Sequence, residues 1–158
     1  SPLGAVLVAA TERGVCSVRL GTSAPPLEAA LRAEFSAAVF TRDGRRLRDY
    51  ARRIARYLAG SKSEIDLPLD IRATAFQRKV WKLLCAIPYG TTRSYSDIAR
   101  RAGRPSAVRA VARAIASNPV ALVIPCHRAI RKNGELAGYR WGVARKAALL
   151  ARENALKS

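Results

Sequence analysis

"SYSDIARRAGRPSAVRAVARAIASN", residues 94–118, is the stretch that decides how this chain folds. It reads as two short helices joined across a tight turn. Ser94, with Asp97 three residues on, is a capping box that opens the first helix. Gly103 closes it, and Pro105 suits the first position of the second. The second helix puts Val108, Val111, Ala112 and Ile115 on one face, and Arg109 and Arg113, four residues apart, on another. It is otherwise built of Ala and Val, so it is slim enough to approach another surface closely. Such a pair is a helix-turn-helix, and a basic stripe on its second member suits DNA.

Upstream, "TAFQ" (74–77) is a second capping box. It opens a helix whose stripe is Phe76, Val80, Leu83, Leu84 and Ile87, with Cys85 as a core residue beside it; "PYG" (88–90) ends it. "RRLRDYARRIARYLAG" (45–60) is an amphipathic helix with Leu47, Tyr50, Ile54 and Leu58 on one side. The arginines on its other side read as a solvated face. "PPLEAALRAEF" (25–35) has Leu27, Leu31 and Phe35 at helical spacing. "AVLVAA" (5–10) and "VCSVRLG" (15–21), separated by "TERG", read as a β-hairpin. "IDLPLDI" (65–71) reads as an edge strand or extended segment, because Pro68 cannot donate to a ladder. The fold class is therefore α/β, with a small N-terminal antiparallel sheet and helices over residues 1–71. A mostly helical domain carrying the helix-turn-helix covers residues 72–158.

Charge is distributed unevenly along the 158 residues. The net charge is +18, but residues 1–71 hold 11 basic and 8 acidic side chains, whereas residues 72–158 hold 18 basic and 3 acidic. Arg-rich usage alone does not remove the acids after residue 71. The asymmetry points to a polyanion, nucleic acid ahead of an anionic membrane surface, and 23 of the 29 cations are Arg, the better fork for phosphate. No apolar run approaches the ~20 residues of a membrane helix. "SPLGAVLVAA" lacks the basic start of a signal peptide. Without methionine, the sequence reads as a piece of a longer chain. Three scattered cysteines argue for a reducing compartment rather than a disulfide framework, and with one histidine no structural zinc set is available.

That histidine is His127, in "VIPCHRAI" (123–130). It directly follows Cys126, at the end of the apolar run "VALVIP" (120–125), which reads as a short buried extended segment. A thiol becomes a useful nucleophile when an imidazole or a cationic neighbourhood draws off its proton. Neighbours on an extended chain point to opposite sides, so Cys126 and His127 communicate only if the backbone turns or a water bridges them. Asp97, Glu135 and Glu153 are the acids available to orient the imidazole. On spacing alone, a cysteine protease, a transferase and a buried structural cysteine all stand.

"IPCHRAI" resembles the Pro-Cys-His-Arg signature of the O6-alkylguanine-DNA alkyltransferases. "LPLDIRATAFQRKVW" (67–81), "IPYGTTRSYSDIA" (87–99), "PSAVRAVARAIASNP" (105–119) and "AGYRWGVARKAALLARE" (137–153) follow in that family's order and spacing. The similarity is strong over about residues 65–155 and greatest to the bacterial Ada type. The resemblance implies a ribonuclease H-like domain over residues 1–71. It implies direct-reversal DNA repair: one-time transfer of the alkyl group of O6-alkylguanine, and less well of O4-alkylthymine, to Cys126. His127 is then the base through a water, Glu153 holds the histidine, Asn118 supports the turn, and Tyr95 crowds the target phosphate and supplies a proton. Arg109 fills the gap left by the extruded nucleotide. Tyr95, Ala107, Ala110, Arg113 and Arg128 line the DNA, met in the minor groove. Tyr139, Gly138, Arg140, Trp141 and Ala129 shape the pocket. No cofactor or metal is implied, and the partner is double-stranded DNA bound by a monomer in a bacterial cytoplasm, near the nucleoid. Ala129 stands where Val is common, and Trp141 is of the Ada type. Two rivals are a non-catalytic lesion binder, which would lack the acceptor cysteine, and a transcription regulator, which would need a further domain.

Overall fold

The computed structural model describes residues 3–42, 44–62 and 64–154; the first two residues of the "SPLGAVLVAA" run lie outside it. The chain divides into two compact units, Ser1–Ile71 with Pro119–Val123, and Arg72–Asn118 with Ile124–Ser158. No helix of the described residues is long and apolar enough to cross a membrane.

The first unit is built on the expected hairpin. Strand β1 (Ala5–Ala10) pairs antiparallel with β2 (Val15–Gly21), with an irregularity at Ala9/Ala10. Val15, Val18 and Leu20 of β2 are buried. Helix α1 (Ala24–Glu34) packs Leu27 and Leu31 inward, and α2 (Arg45–Leu58) buries Tyr50, Ile54, Tyr57 and Leu58. The segment expected as an edge strand is extended and makes one parallel bridge, Val15 to Leu69. Pro68 takes part through its carbonyl, which accepts from Val15 N–H at 2.8 Å. Gly14 lies against that turn so closely that a Cβ there would sit 2.5 Å from the Pro68 oxygen, so no larger residue fits.

The second unit is helical. Helix α3 (Ala75–Cys85) begins with both halves of the Thr74/Gln77 capping box in place. It packs on α4 (Tyr95–Arg101) and α5 (Val108–Ala116), and Trp81 Nε1–H donates to the Ala114 carbonyl at 2.8 Å. Cys85, expected in the core, is exposed; Trp81 and Leu84 take the buried positions on that turn instead. Only half of the second box forms. Ser94 Oγ accepts from Asp97 N–H, but the Asp97 carboxylate goes to Arg93, Arg100 and Arg101. Pro105 does not open α5. It sits in a turn closed by Ala107 N–H to the Arg104 carbonyl, and the helix starts three residues later. Val111, Ala114 and Ile115 form its buried face, while Val108 and Ala112 are half-buried.

Two short elements were not legible from periodicity. Strands β3 (Arg93–Ser94) and β4 (Ala129–Ile130) pair in parallel, tying the start of α4 to the segment after Cys126. "VALVIP" is buried, as expected, but it is not a continuous strand: it meets β2 at one bridge, Val18 to Val120, and Leu122 turns with a φ of 72°. Helix α6 (Val143–Arg152) ends with Glu153 as its C-cap.

Candidate active site

Cys126, His127 and Arg128 form a single turn of 3-10 helix, so the backbone does turn where the thiol meets the imidazole. All three side chains are buried. Asn118, just beyond α5, donates from Nδ2 to the Ile124 carbonyl at 2.9 Å and to Cys126 Sγ at 3.2 Å. One amide thus fixes the loop and reaches the sulfur.

Behind the thiol lies a buried ionic chain. His127 Nε2 is 2.6 Å from Glu153 Oε2. Arg128 grips the same carboxylate with a fork, Nε to Oε1 at 2.8 Å and Nη2 to Oε2 at 3.2 Å. Its Nη1 donates to the Ile87 carbonyl at 2.8 Å, and its guanidinium lies over the Tyr89 ring. Gly90 N–H also donates to Glu153 Oε1. A carboxylate at a helix C-terminus faces the negative end of the dipole; here the Arg128 guanidinium, the His127 ring and the Gly90 backbone N–H offset that cost. Of the three acids considered, Glu153 is the one beside His127, while Asp97 is taken by arginines and Glu135 is exposed.

Arg128, expected among the DNA contacts, is 1% exposed and belongs to this chain. A guanidinium buried that deeply needs a bidentate carboxylate, and Glu153 is that partner. Four of the other expected DNA contacts lie on or next to α5, where Arg109 and Arg113 are exposed and Ala107 and Ala110 half-buried, whereas Tyr95 opens α4 and is only 8% exposed. Of the expected pocket residues, Tyr139 and Trp141 meet edge to face with centroids 5.3 Å apart. Arg140 Nη1 donates to the Asn118 carbonyl and its guanidinium covers Trp141. Gly138 is exposed and Ala129 fully buried on β4.

Lys146 was not anticipated. It is 1% exposed, with Nζ 3.3 Å from the Tyr95 hydroxyl and 3.4 Å from the Ala137 carbonyl. A signal was present: Lys146 shares an apolar helical face with Leu149, Leu150 and Glu153, at spacings of three, four and seven. Two of those four positions are charged, which a plain core stripe would not carry.

Burial governs the titration of the whole cluster. It pushes the Cys126 thiol up to about 11, against the opposing hydrogen bond from Asn118 and the Lys146 charge. It lowers His127 despite Glu153, and it raises Tyr95. Lys146 falls to about 8 from 10.5, burial outweighing the pull of Cys126. At rest near neutral pH the site therefore holds a thiol, a neutral imidazole and an ammonium. Because the folded pKa of Lys146 lies below its unfolded value, the unfolded chain keeps that proton more tightly. Stability then rises with pH between about 8 and 10.5. Below pH 8 the buried charge costs about 3 kcal/mol. Lys146→Met should be more stable than the parent by that amount at pH 7, with the gap closing as pH approaches 10. Urea titrations at several pH values check this, and a gap that does not change with pH would sink it.

A family profile described as "6-O-methylguanine DNA methyltransferase, DNA binding domain" matches residues 75–155, and one described as "6-O-methylguanine DNA methyltransferase, ribonuclease-like domain" matches residues 1–71. The chain belongs to the 6-O-methylguanine DNA methyltransferase family. Within that methyltransferase family, it is 47% identical over 151 residues to the Escherichia coli "Bifunctional transcriptional activator/DNA repair enzyme Ada", covering 96% of this chain and 43% of that protein. It is 42% identical to the inducible methylated-DNA–protein-cysteine methyltransferase of Bacillus subtilis, covering 96% of this chain and 85% of that protein. A crystal structure of Mycobacterium tuberculosis OGT in complex with DNA superposes with a TM-score of 0.81 at 39% identity, covering 97% of this chain and 88% of that one. The chain thus spans less than half the length of the Ada relative.

Proposed function

We propose that this methyltransferase-family chain repairs alkylated DNA by direct reversal, moving the alkyl group of O6-alkylguanine, and less readily of O4-alkylthymine, onto Cys126 in a single-use reaction. The observation that carries this reading is the buried thiol held by Asn118 beside the His127–Glu153–Arg128 chain. Duplex DNA is met through α5 in the minor groove by a monomer, with Arg109 and Arg113 as the exposed cations. The target base is turned out of the stack, since its O6 substituent is out of reach inside a duplex. Arg109 fills the space it leaves, Tyr95 crowds its phosphate, and Tyr139, Trp141, Arg140, Gly138 and Ala129 bound its pocket.

The thiol is protonated at rest, so its proton must leave as the reaction proceeds. His127 takes it through a bridging water. With Nε2 committed to Glu153, Nδ1 is the accepting nitrogen, and Glu153 offsets the imidazolium that results. The sulfur attacks the alkyl carbon, an S–C bond forms and the O6–C bond breaks. Tyr95 gives its proton to the departing guanine, whose O6 becomes a carbonyl oxygen. Lys146, with its ammonium on the Tyr95 oxygen, steadies the charge that Tyr95 and the sulfur develop. The product is a thioether, and nothing in the site reverses it.

Incubation with duplex DNA carrying one O6-methylguanine tests the reading. The protein should gain one methyl group in place of the thiol proton, peptide mapping should put it on Cys126 rather than Cys16 or Cys85, and the DNA should end as guanine. Lesion binding with no mass change would make the chain a non-catalytic lesion reader. Product beyond one equivalent would overturn the single-use mechanism.

A further inference from the structure

Positive charge in the first 71 residues is gathered on one helix. Helix α2 carries six Arg and one Asp in fourteen residues, whereas the rest of residues 1–71 holds five basic and seven acidic side chains, a net of −2. Arg-rich usage would spread the cations; it does not segregate them. Two of the six serve the fold: Arg46 donates to the Glu12 and Thr11 carbonyls, and Arg53 pairs with Asp49 and donates to the Asp66 carbonyl. The other four, Arg45, Arg48, Arg52 and Arg56, are exposed and form a stripe at spacings of three, four and four. No carboxylate of the described residues pairs with them.

This placement works against the helix. Arg45/Arg48, Arg48/Arg52 and Arg52/Arg56 are like-charge neighbours, each costing a few tenths of a kcal/mol. Three arginines occupy the first turn, against the helix dipole, with no acid there to compensate. Asp49, four residues after Arg45 and three before Arg52, is the one acid on the helix, and its carboxylate is paired with Arg53, so most of that expense stands uncompensated within the described structure, the mark of a surface kept for a partner.

We infer that the Arg45/Arg48/Arg52/Arg56 stripe of α2 is a second contact for the phosphate backbone of duplex DNA, separate from the helix-turn-helix. At 1.5 Å per residue the stripe is about 16 Å long, longer than the ~12 Å width of a major groove, so its ends reach phosphates on both walls. Guanidinium forks suit phosphate oxygens. A lipid surface fits less well, because the apolar side of α2, Tyr50, Ile54, Tyr57 and Leu58, is already buried and leaves nothing to insert. The inference rests on the DNA-repair reading above.

The test uses the whole chain with all four arginines changed to Gln, and a companion with all four changed to Lys; both residues are good helix formers. Binding to duplex DNA is titrated against salt, and methyl transfer is followed at saturating DNA. The expected result is a log–log salt slope shallower by about two to four in the Gln variant. The Lys variant should keep the parent slope, and transfer at saturation should not change in either. A Gln variant with the parent slope overturns the inference, and so does an equal loss in both variants, which would mean damage to the fold. If the Gln variant keeps the DNA slope but loses binding to vesicles of phosphatidylserine and phosphatidylcholine, the stripe serves a membrane and the inference falls. A parent that transfers methyl while its Gln variant binds unchanged leaves the repair reading standing and removes only this one. A parent that neither binds nor transfers removes both.

Discussion

A Cys126→Ser variant is expected to bind duplex DNA as the parent does and to accept no methyl group. The reason is the height of the barrier already present. Burial holds the thiol of Cys126 at about 11, so under the proposed mechanism a proton must leave within the complex before the sulfur can attack. A hydroxyl is far less acidic than a thiol, and the same burial would push it higher still. His127, itself lowered by burial, has no prospect of drawing off that proton. Steric change is minimal, and Asn118 Nδ2 can donate to an oxygen at the same place, so the turn should persist. Electrophoretic mobility shift and intact-protein mass measured on the same sample decide it. Methyl transfer by the serine variant would mean that another residue accepts the group.

Arg128→Met is expected to cost about 3–5 kcal/mol of stability. The guanidinium makes two contacts to Glu153, one to the Ile87 carbonyl and one to the face of Tyr89, all out of reach of solvent. Removing it leaves a carboxylate buried at a helix C-terminus with a neutral histidine for company. Arg128→Lys should recover little, since a point charge cannot match the fork. The double variant Arg128→Met/Glu153→Leu should regain part of the loss, because a buried pair replaced whole is far cheaper than a pair broken. Urea denaturation followed through Trp81 and Trp141, both in the second unit, measures all three. A single-variant cost below about 1 kcal/mol would mean that Glu153 does not depend on Arg128 for its charge. Activity gives a second readout: a Glu153 that loses its clamp should orient His127 less well even in the molecules that remain folded.

Legibility from sequence followed the range of the interactions involved. The hairpin, the amphipathic faces of α1, α2 and α3, and the two-helix element at 95–116 come from periodicity and capping, which are local; these were readable from residue types alone. Local rules misfired where a side chain had a better partner than the one its motif offered. Asp97 satisfies arginines rather than its own N-terminus, and Pro105 serves a turn rather than the first position of a helix. "VALVIP" has the composition of a strand, but it meets β2 at a single bridge, and so it turns instead.

For the site, the sequence by itself singled out Cys126 and His127, because the one histidine stands beside a thiol, but a buried structural cysteine stood equally on spacing; the surrounding motifs pointed to the family and, through it, to Cys126 as acceptor. Residue types alone leave the orienting acid open among Asp97, Glu135 and Glu153. Tertiary structure placed Glu153 on the imidazole, 26 positions along the chain. It moved Arg128 from the surface into the core, and it introduced Lys146 at the Tyr95 hydroxyl. The physical reason is the same in each case. A charge on a sequence is presumed to be solvated, and only packing reveals which charges have been taken out of water. Once buried, a charge demands a partner brought in from elsewhere in the chain, and no spacing rule encodes that distance.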